Sequence, residues 1–204
     1  MIVIFSSKEI LFLLIFAVVI VLTIFVCIKA ARVSRIRREI LKKEAAIWKL
    51  DYDLRQNFSV LTEEKLKETE DTELLHGVAM NIQVMLENKI DMTASFNEMP
   101  DEKKFIYALE YFDEDAKQSL STFFKNNGAP LVPLIPQALK AIGADEYLPF
   151  INAVADMYDE DSEVSIDYSI VEKNDVQFSE AYDSTKLCRL CADYIKKNKN
   201  IFLN

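Results

Sequence analysis

The chain has 204 residues, of which 28% are charged and 50% are hydrophobic, and its formal net charge is −9. This length suffices for one ordinary domain with an appendage but not for two large domains. With only three glycines and five prolines, the composition excludes collagen-like, glycine-loop and low-complexity proteins.

The net charge is divided unevenly along the chain. Residues 1–50 hold 9 Lys+Arg against 3 Asp+Glu, a net charge of +6, whereas residues 51–204 hold 15 against 30, a net charge of −15. Phosphate backbones attract Lys and Arg, so the acidic part argues against direct nucleic-acid binding. We therefore expect a basic, apolar front end followed by a strongly acidic body.

Residues 10–28 form an apolar run in which Thr23 is the only polar residue. A helix of about 20 such residues can cross a bilayer, and the run is too long for the apolar core of a cleaved signal peptide. The sequence therefore predicts a transmembrane anchor over 1–29, spanning membrane lipids at about 10–28.

A basic cluster follows the apolar run. Because positively charged flanks stay in the cytoplasm, it predicts a single-pass membrane protein with the N-terminus outside and the C-terminal domain cytoplasmic. The cluster serves only as this topology signal, or it also binds anionic headgroups at the membrane surface. Its members are Lys29, Arg32, Arg35, Arg37, Arg38, Lys42 and Lys43.

Residues 30–71 predict a helical stalk that changes from basic to acidic. Up to residue 70 it contains neither Pro nor Gly and is rich in strong helix formers. The stripe of apolar residues at intervals of seven either packs on the body or pairs with a second copy in a homodimer. The charged residues 62–73 predict a hinge. The stripe consists of Val33, Ile40, Ile47, Leu54 and Leu61.

Residues 72–204 predict a compact acidic domain of several helices. Apolar spacing and helix-stop residues predict the helix boundaries, while the alternation over 164–170 predicts an extended segment lying over the helices. The predicted fold class is therefore all-α: one N-terminal transmembrane helix, a helical stalk and a compact acidic multi-helix domain. The helices are expected at 72–88, from Pro100 through Phe112, at 120–127, in a short stretch ended by Gly143, from Asp145 through Met157, and at 187–195.

Three stretches of this domain resemble the bacterial family of DNA-mimic-protein-like helical domains, most of whose members are known only as a domain of unknown function. They are the Phe-Phe-x-Asn block within 120–127, the sequence ALKAIGA at 138–144 and the sequence YIKKNKNIF at 194–202. The resemblance covers roughly residues 75–202. It implies an all-helical domain of a bacterial protein, so the membrane expected for the predicted anchor is the bacterial cell (inner) membrane. The name-giving member of the family imitates DNA.

We find no pattern of catalytic residues, cofactor ligands or metal ligands. Cys188 and Cys191 form a C-x-x-C motif, but on a helix they share one face, and we expect buried, reduced thiols. His76, the only histidine, is expected to be structural. A calcium loop starting at Asp159 fails, because Val164 stands where glycine is required and Ile170 where glutamate is required.

The remaining candidate site is an acidic interaction surface. We predict a non-catalytic, membrane-tethered cytoplasmic module that docks an unknown protein partner through these acids. The alternatives are a DNA mimic that inhibits a cationic DNA-binding protein, and a thiol redox protein that uses the C-x-x-C motif. The candidate surface comprises Asp113, Glu114, Asp115, Asp156, Asp159, Glu160, Asp161 and Glu163.

Overall fold

The computed structural model describes residues 7–128, 130–155 and 168–203. Side chains are described from Lys29 onward, apart from a few positions in those ranges. No strand occurs among the described residues, which confirms the all-α prediction for that part of the chain. The helices are α1 (Ser7–Asn57), α2 (Glu63–Glu68), α3 (Asp71–Glu87), α4 (Met92–Asn97), α5 (Asp101–Ala116), α6 (Leu120–Asn126), α7 (Ile135–Ile142), α8 (Leu148–Ala155), α9 (Tyr168–Ala181), α10 (Ser184–Lys197) and α11 (Lys199–Phe202).

The chain divides into two compact units. The first is Met1–Tyr52, which consists of most of α1, and the second is Asp53–Asn204, which contains all the other helices. The second unit holds the hydrophobic core and the two polar clusters described below.

Short polar side chains and one glycine set the ends of several helices. Asp91, Ser119 and Asp183 each accept a hydrogen bond from a backbone N–H in the first turn of α4, α6 and α10. Such caps satisfy amide groups that have no partner within the helix. Gly143 ends α7 with φ of 78°, a left-handed conformation that favours glycine.

Helix α5 lies at the centre of the second unit. It contacts α3, α6, α7, α10 and α11, and it is buried along the face formed by Ile106, Leu109 and Phe112, all with 0% exposure. Three apolar residues at i, i+3 and i+6 place one broad stripe toward the core.

Aromatic rings join α5, α6 and α9. The ring of Phe112 meets those of Phe123 and Phe178 edge to face, with centroids 5.3 and 6.1 Å apart, and Phe178 stacks on Tyr182 at 4.9 Å. Such pairs contribute about 0.5–1.5 kcal/mol each beyond the burial of their area. The cluster therefore fixes α9 against the centre of the domain.

The chain after Tyr52 is part of this core and not a solvated hinge. Phe58, Leu61 and Leu66 are 1–2% exposed. Thr62 caps α2 by accepting a hydrogen bond from the Lys65 N–H. The Phe58 ring lies directly against Gly77 of α3, where a Cβ atom would overlap it. Within the stripe predicted for the stalk, Leu61 is therefore packed on the body.

The predicted transmembrane anchor is wrong. Among the helices that the structure describes, none is both long and apolar enough to cross a membrane. The apolar run at 10–28 is the first part of α1, which continues through many charged residues to Asn57. The single-pass location in the bacterial inner membrane, with the N-terminus outside and the domain cytoplasmic, depended on that anchor and is contradicted with it.

Two predictions within the body also need correction. The helix predicted from Asp145 does not begin as an α-helix, because Asp145–Tyr147 is a turn of 3₁₀ helix that leads into α8. The extended segment predicted over 164–170 is replaced from residue 168 onward by α9, and its first residues lie outside the described part. The predicted helices at 72–88 and 120–127 are confirmed within one residue at each end, and the helix predicted from Pro100 begins at Asp101 but continues four residues beyond Phe112.

Candidate functional site

A buried carboxylate stands at the junction of α5, α9 and α10. Asp113 has 0% exposure. It accepts hydrogen bonds from the Tyr182 hydroxyl at 2.5 Å and from the Cys188 thiol at 3.8 Å, and it forms an ion pair with Lys117 Nζ at 2.6 Å. A buried charge is tolerated only when it is paired and hydrogen-bonded in this way. Asp113 therefore faces the interior and not a docking surface.

The partners of Asp113 have shifted pKa values. Burial, and then the charge of Asp113, raise the pKa of Tyr182 far above its ordinary value. Burial alone would lower the pKa of Lys117, but the hydrogen bond and charge of Asp113 raise it overall. Burial, and then Asp113, raise the pKa of Cys188 to about 11. The cluster thus holds a protonated lysine and neutral hydroxyl and thiol groups around one carboxylate.

A second polar cluster lies where α3 meets α5 and consists of His76, Glu110 and Glu114. His76 Nδ1 contacts Glu110 Oε1, and Glu114 follows Glu110 by one helical turn, so both carboxylates lie on the same face of α5. Glu110 is only 8% exposed, and its Oε2 atom has no hydrogen-bond partner. One possible ligand atom from each of the three side chains lies within 4.8 Å of the others.

Electrostatics within this second cluster follow from its packing. The hydrogen bond that the Glu110 carboxylate accepts raises the pKa of His76 despite partial burial of the ring. Partial burial, and then the charge of Glu110, raise the pKa of Glu114. Two carboxylates and one imidazole therefore share a small region at the edge of the core.

The other two described members of the predicted acidic surface have different environments. Glu114 is exposed, while Asp115 is half-buried and accepts hydrogen bonds from the side-chain amides of Asn126 and Asn127 at 3.0 and 2.8 Å. The remaining members lie outside the described residues: Asp156, Asp159, Glu160, Asp161 and Glu163.

The segment 156–167 contains six acids and no Lys or Arg, and it connects α8 to α9. These two helices contact each other. Asn174 of α9 donates to the Phe150 carbonyl at 3.0 Å, and Asp175 accepts from the Ser121 N–H at 2.9 Å. Both ends of the acid-rich segment are thus attached to firmly packed helices.

The predicted basic cluster lies in the first unit. All seven of its side chains are exposed along α1: Lys29, Arg32, Arg35, Arg37, Arg38, Lys42 and Lys43.

The C-x-x-C motif is helical and buried, as its spacing predicted. Cys188 and Cys191 are free thiols on α10, with 1% and 0% exposure. Burial raises the pKa of Cys191 well above its ordinary value. Both thiols are therefore poor nucleophiles in the folded protein.

The sequence interpretation missed the grouping of His76 with Glu110 and Glu114. The only signal available was the spacing of the two glutamates by four residues on a predicted helix. Nothing in the sequence indicates that α3 places His76 beside them, because the two helices are brought together by packing.

The fold and the site define the class of this protein as an acidic, all-helical domain. Some of its carboxylates are buried, and others are grouped along the sequence in the segment 156–167. The family model described as DMP19-like protein matches residues 97–198, which is 102 of the 204 residues. The chain belongs to this DMP19-like family, which agrees with the resemblance to a DNA-mimic-like helical domain. No curated protein and no solved structure matches the chain.

Proposed function

We propose that this chain is a non-catalytic interaction module that docks a protein partner through the acidic surface of its helical domain. The observation that carries the proposal is the excess of acids in the family-matched region. Residues 97–198 hold 20 Asp+Glu against 10 Lys+Arg, a net charge of −10.

Ion pairs engage several of these cations without removing the excess of acids. Four of the ten cations are already paired with carboxylates: Lys104 with Asp101, Lys117 with Asp113, Lys186 with Glu146 and Lys196 with Asp71. Three of these pairs use a carboxylate of the region and one uses Asp71 outside it, so acids stay in excess among the other charges of the region. Surface charge of one sign attracts and orients a partner of the opposite sign.

The docking surface that we propose is centred on the acid-rich segment 156–167. Glu172 and Glu180 of α9 are exposed and follow this segment in the chain. Together they would offer eight carboxylates and no neighbouring base except Lys173. A cationic partner would gain several charge-assisted contacts here.

DNA mimicry is the more specific form of the proposal. The carboxylates would occupy the cationic groove of a DNA-binding protein in place of phosphates. Such binding would weaken steeply with added salt, as phosphate contacts do. Membership of the DMP19-like family supports this form.

The test is capture of partners by the immobilised full chain, with elution along a salt gradient. The test variant carries Asp159→Asn, Glu160→Gln, Asp161→Asn and Glu163→Gln. The control variant carries Glu64→Gln, Glu68→Gln, Glu70→Gln and Glu73→Gln, four exposed acids of α2, of α3 and of the link between them. Both variants lose the same four negative charges, so they differ only in position.

We expect the unsubstituted chain and the control to retain a DNA-binding protein that elutes with salt and is displaced by duplex DNA. The test variant should lose it. Equal retention by both variants would contradict the acid-rich segment as the site. Retention that duplex DNA does not displace would contradict mimicry and leave docking on a protein of another kind.

A further inference from the structure

His76, Glu110 and Glu114 form a group of metal-ligand side chains that protein docking does not use. Their possible ligand atoms lie within 4.8 Å of one another. Donors that share one tetrahedral Zn²⁺ ion at bond lengths of about 2.0–2.2 Å lie about 3.4 Å apart. The ligand atoms here thus lie up to 4.8 Å apart, farther than in a formed site. Because Glu114 is exposed, rotation of its side chain can bring its carboxylate closer to the other two ligands without moving a helix.

The carboxylate of Glu110 is the second observation that indicates a ligand. The residue is 8% exposed, its Oε1 contacts His76, and its Oε2 is buried with no hydrogen-bond partner. A buried carboxylate oxygen without a hydrogen-bond partner lowers the stability of the folded state. A cation bound between the imidazole and the two carboxylates would satisfy it.

We propose that His76, Glu110 and Glu114 bind a divalent transition-metal ion. One imidazole and two carboxylates suit Zn²⁺, which accepts nitrogen and oxygen donors in this number and leaves a fourth position to water. The imidazole makes the set unsuitable for Mg²⁺, which prefers oxygen ligands. This site is independent of the docking surface proposed above.

Nearby charges are compatible with a cation at this position. Lys117 follows Glu114 by three residues, at the C-terminal cap of α5, but its ammonium group is paired with Asp113 at 2.6 Å. The charge of Lys117 is therefore largely balanced by a carboxylate that is not one of the proposed ligands.

The test is a titration of the full, chelator-treated chain with Zn²⁺, followed by NMR of the imidazole ring. Because His76 is the only histidine, its ring signals report on this site alone, and zinc bound by cysteines does not contribute. Glu114→Gln removes an exposed ligand with little risk to the fold. Glu73→Gln, an exposed acid on α3, is the matched control.

We expect one equivalent of Zn²⁺ to shift the ring signals to saturation and Mg²⁺ to leave them unchanged. Glu114→Gln should weaken Zn²⁺ binding at least about tenfold, and Glu73→Gln should not change it. Absence of any shift would overturn the proposal in favour of a structural His76–Glu110 pair. A shift with equal affinity in Glu114→Gln would also overturn it, since it indicates adventitious binding to a lone histidine.

Discussion

Gly77 lies where α3 makes its closest approach to the Phe58 ring. A Cβ atom at this position would overlap ring carbons of Phe58. Since Phe58 is 2% exposed and surrounded by core residues, its ring has little space to move. The absence of a side chain at Gly77 is therefore a packing requirement and not a requirement for an unusual backbone angle.

We predict that Gly77→Ala lowers the free energy of unfolding by about 1–3 kcal/mol, the usual cost of overpacking. Helix propensity alone would predict stabilisation by about 1 kcal/mol, so the two explanations differ in sign. Urea unfolding measures the change. In the background of Phe58→Ala, which removes the ring, Gly77→Ala should become neutral or stabilising; an unchanged penalty would contradict the contact.

Cys188 combines a buried position with a neighbouring carboxylate, and both raise its pKa from 9.0 to about 11. At pH 8 the thiolate fraction is therefore about 100-fold lower than in the unfolded chain, and native alkylation should be slower by at least that factor. Because the pKa is raised on folding, the neutral thiol contributes stability below about pH 9 that is lost as the pH rises toward 11.

Alkylation rates measured in a Cys27→Ser background test this prediction, because only the two cysteines of α10 then remain. The urea-unfolded chain provides the reference rate. Fast alkylation of the folded protein at pH 8 would contradict the buried, neutral thiols and would favour the thiol redox alternative.

At the scale of elements, the segment between α1 and α3 belongs to the body. Phe58, Leu61 and Leu66 are all 1–2% exposed, and Asn81 donates a hydrogen bond to the Phe58 carbonyl at 2.7 Å. Full burial of such side chains contributes about 1.5–3 kcal/mol each. The helical domain therefore depends on residues that precede α3.

A chain that begins at residue 71 should consequently be several kcal/mol less stable than one that begins at residue 53, where the second unit starts. Thermal unfolding of both fragments measures the difference. Adding Phe58→Ala to the longer fragment should reproduce a large part of the loss. Equal melting temperatures for the two fragments would contradict the packing of this segment.

The sequence predicted the long helices because their apolar periodicity and end signals agree. Pro100 and Gly143 flank α5 and α7 as expected. The six-residue α4 was missed, because it needs only the Asp91 cap and one buried ring, Phe96. Such a short helix has no periodic pattern to detect.

Helix α9 was hidden by a competing pattern. Apolar and polar residues alternate over 164–170, and this alternation favoured an extended segment. The residues that α9 buries lie further along the chain: Val171, Asn174 and Phe178. Their spacing of three and four is helical but includes a polar residue, whose amide is satisfied by the Phe150 carbonyl. The pairing of His76 with Glu110, 34 residues apart, depends on tertiary packing and has no local signal.

At the scale of the whole molecule, α1 carries apolar side chains that are exposed within the single chain. Ile36 and Ile40 are each 50% exposed, and Ile47 and Leu50 are 67% and 63% exposed. Ile40 and Ile47 belong to the seven-residue stripe that predicted either packing or pairing with a second copy, and Ile36 and Leu50 each follow a member of that stripe by three residues. For the exposed part of the stripe on α1, pairing in a homodimer stays a prediction. Two copies of this stripe could cover each other's apolar side chains.

We predict that the full chain sediments as a dimer and that Ile40→Glu with Ile47→Glu weakens the association at least about tenfold, because two apolar contacts would become like-charge contacts. Analytical ultracentrifugation measures this change. The control is Leu41→Glu with Trp48→Glu, which adds the same charge at exposed positions one residue off the stripe. A monomeric parent chain, or equal weakening by the control, would contradict pairing through this stripe.

The contacts made by α10 join residues that are far apart in the chain. Lys196 reaches Asp71 across 125 residues, and Cys188 reaches Asp113 across 75. Tyr182, two residues before α10 begins, also reaches Asp113, across 69 residues. Closing such large loops costs chain entropy before the contacts that repay it can form. This helical domain should therefore fold more slowly than a bundle of sequential hairpins of the same size, with docking of α10 on α3 and α5 among the last steps.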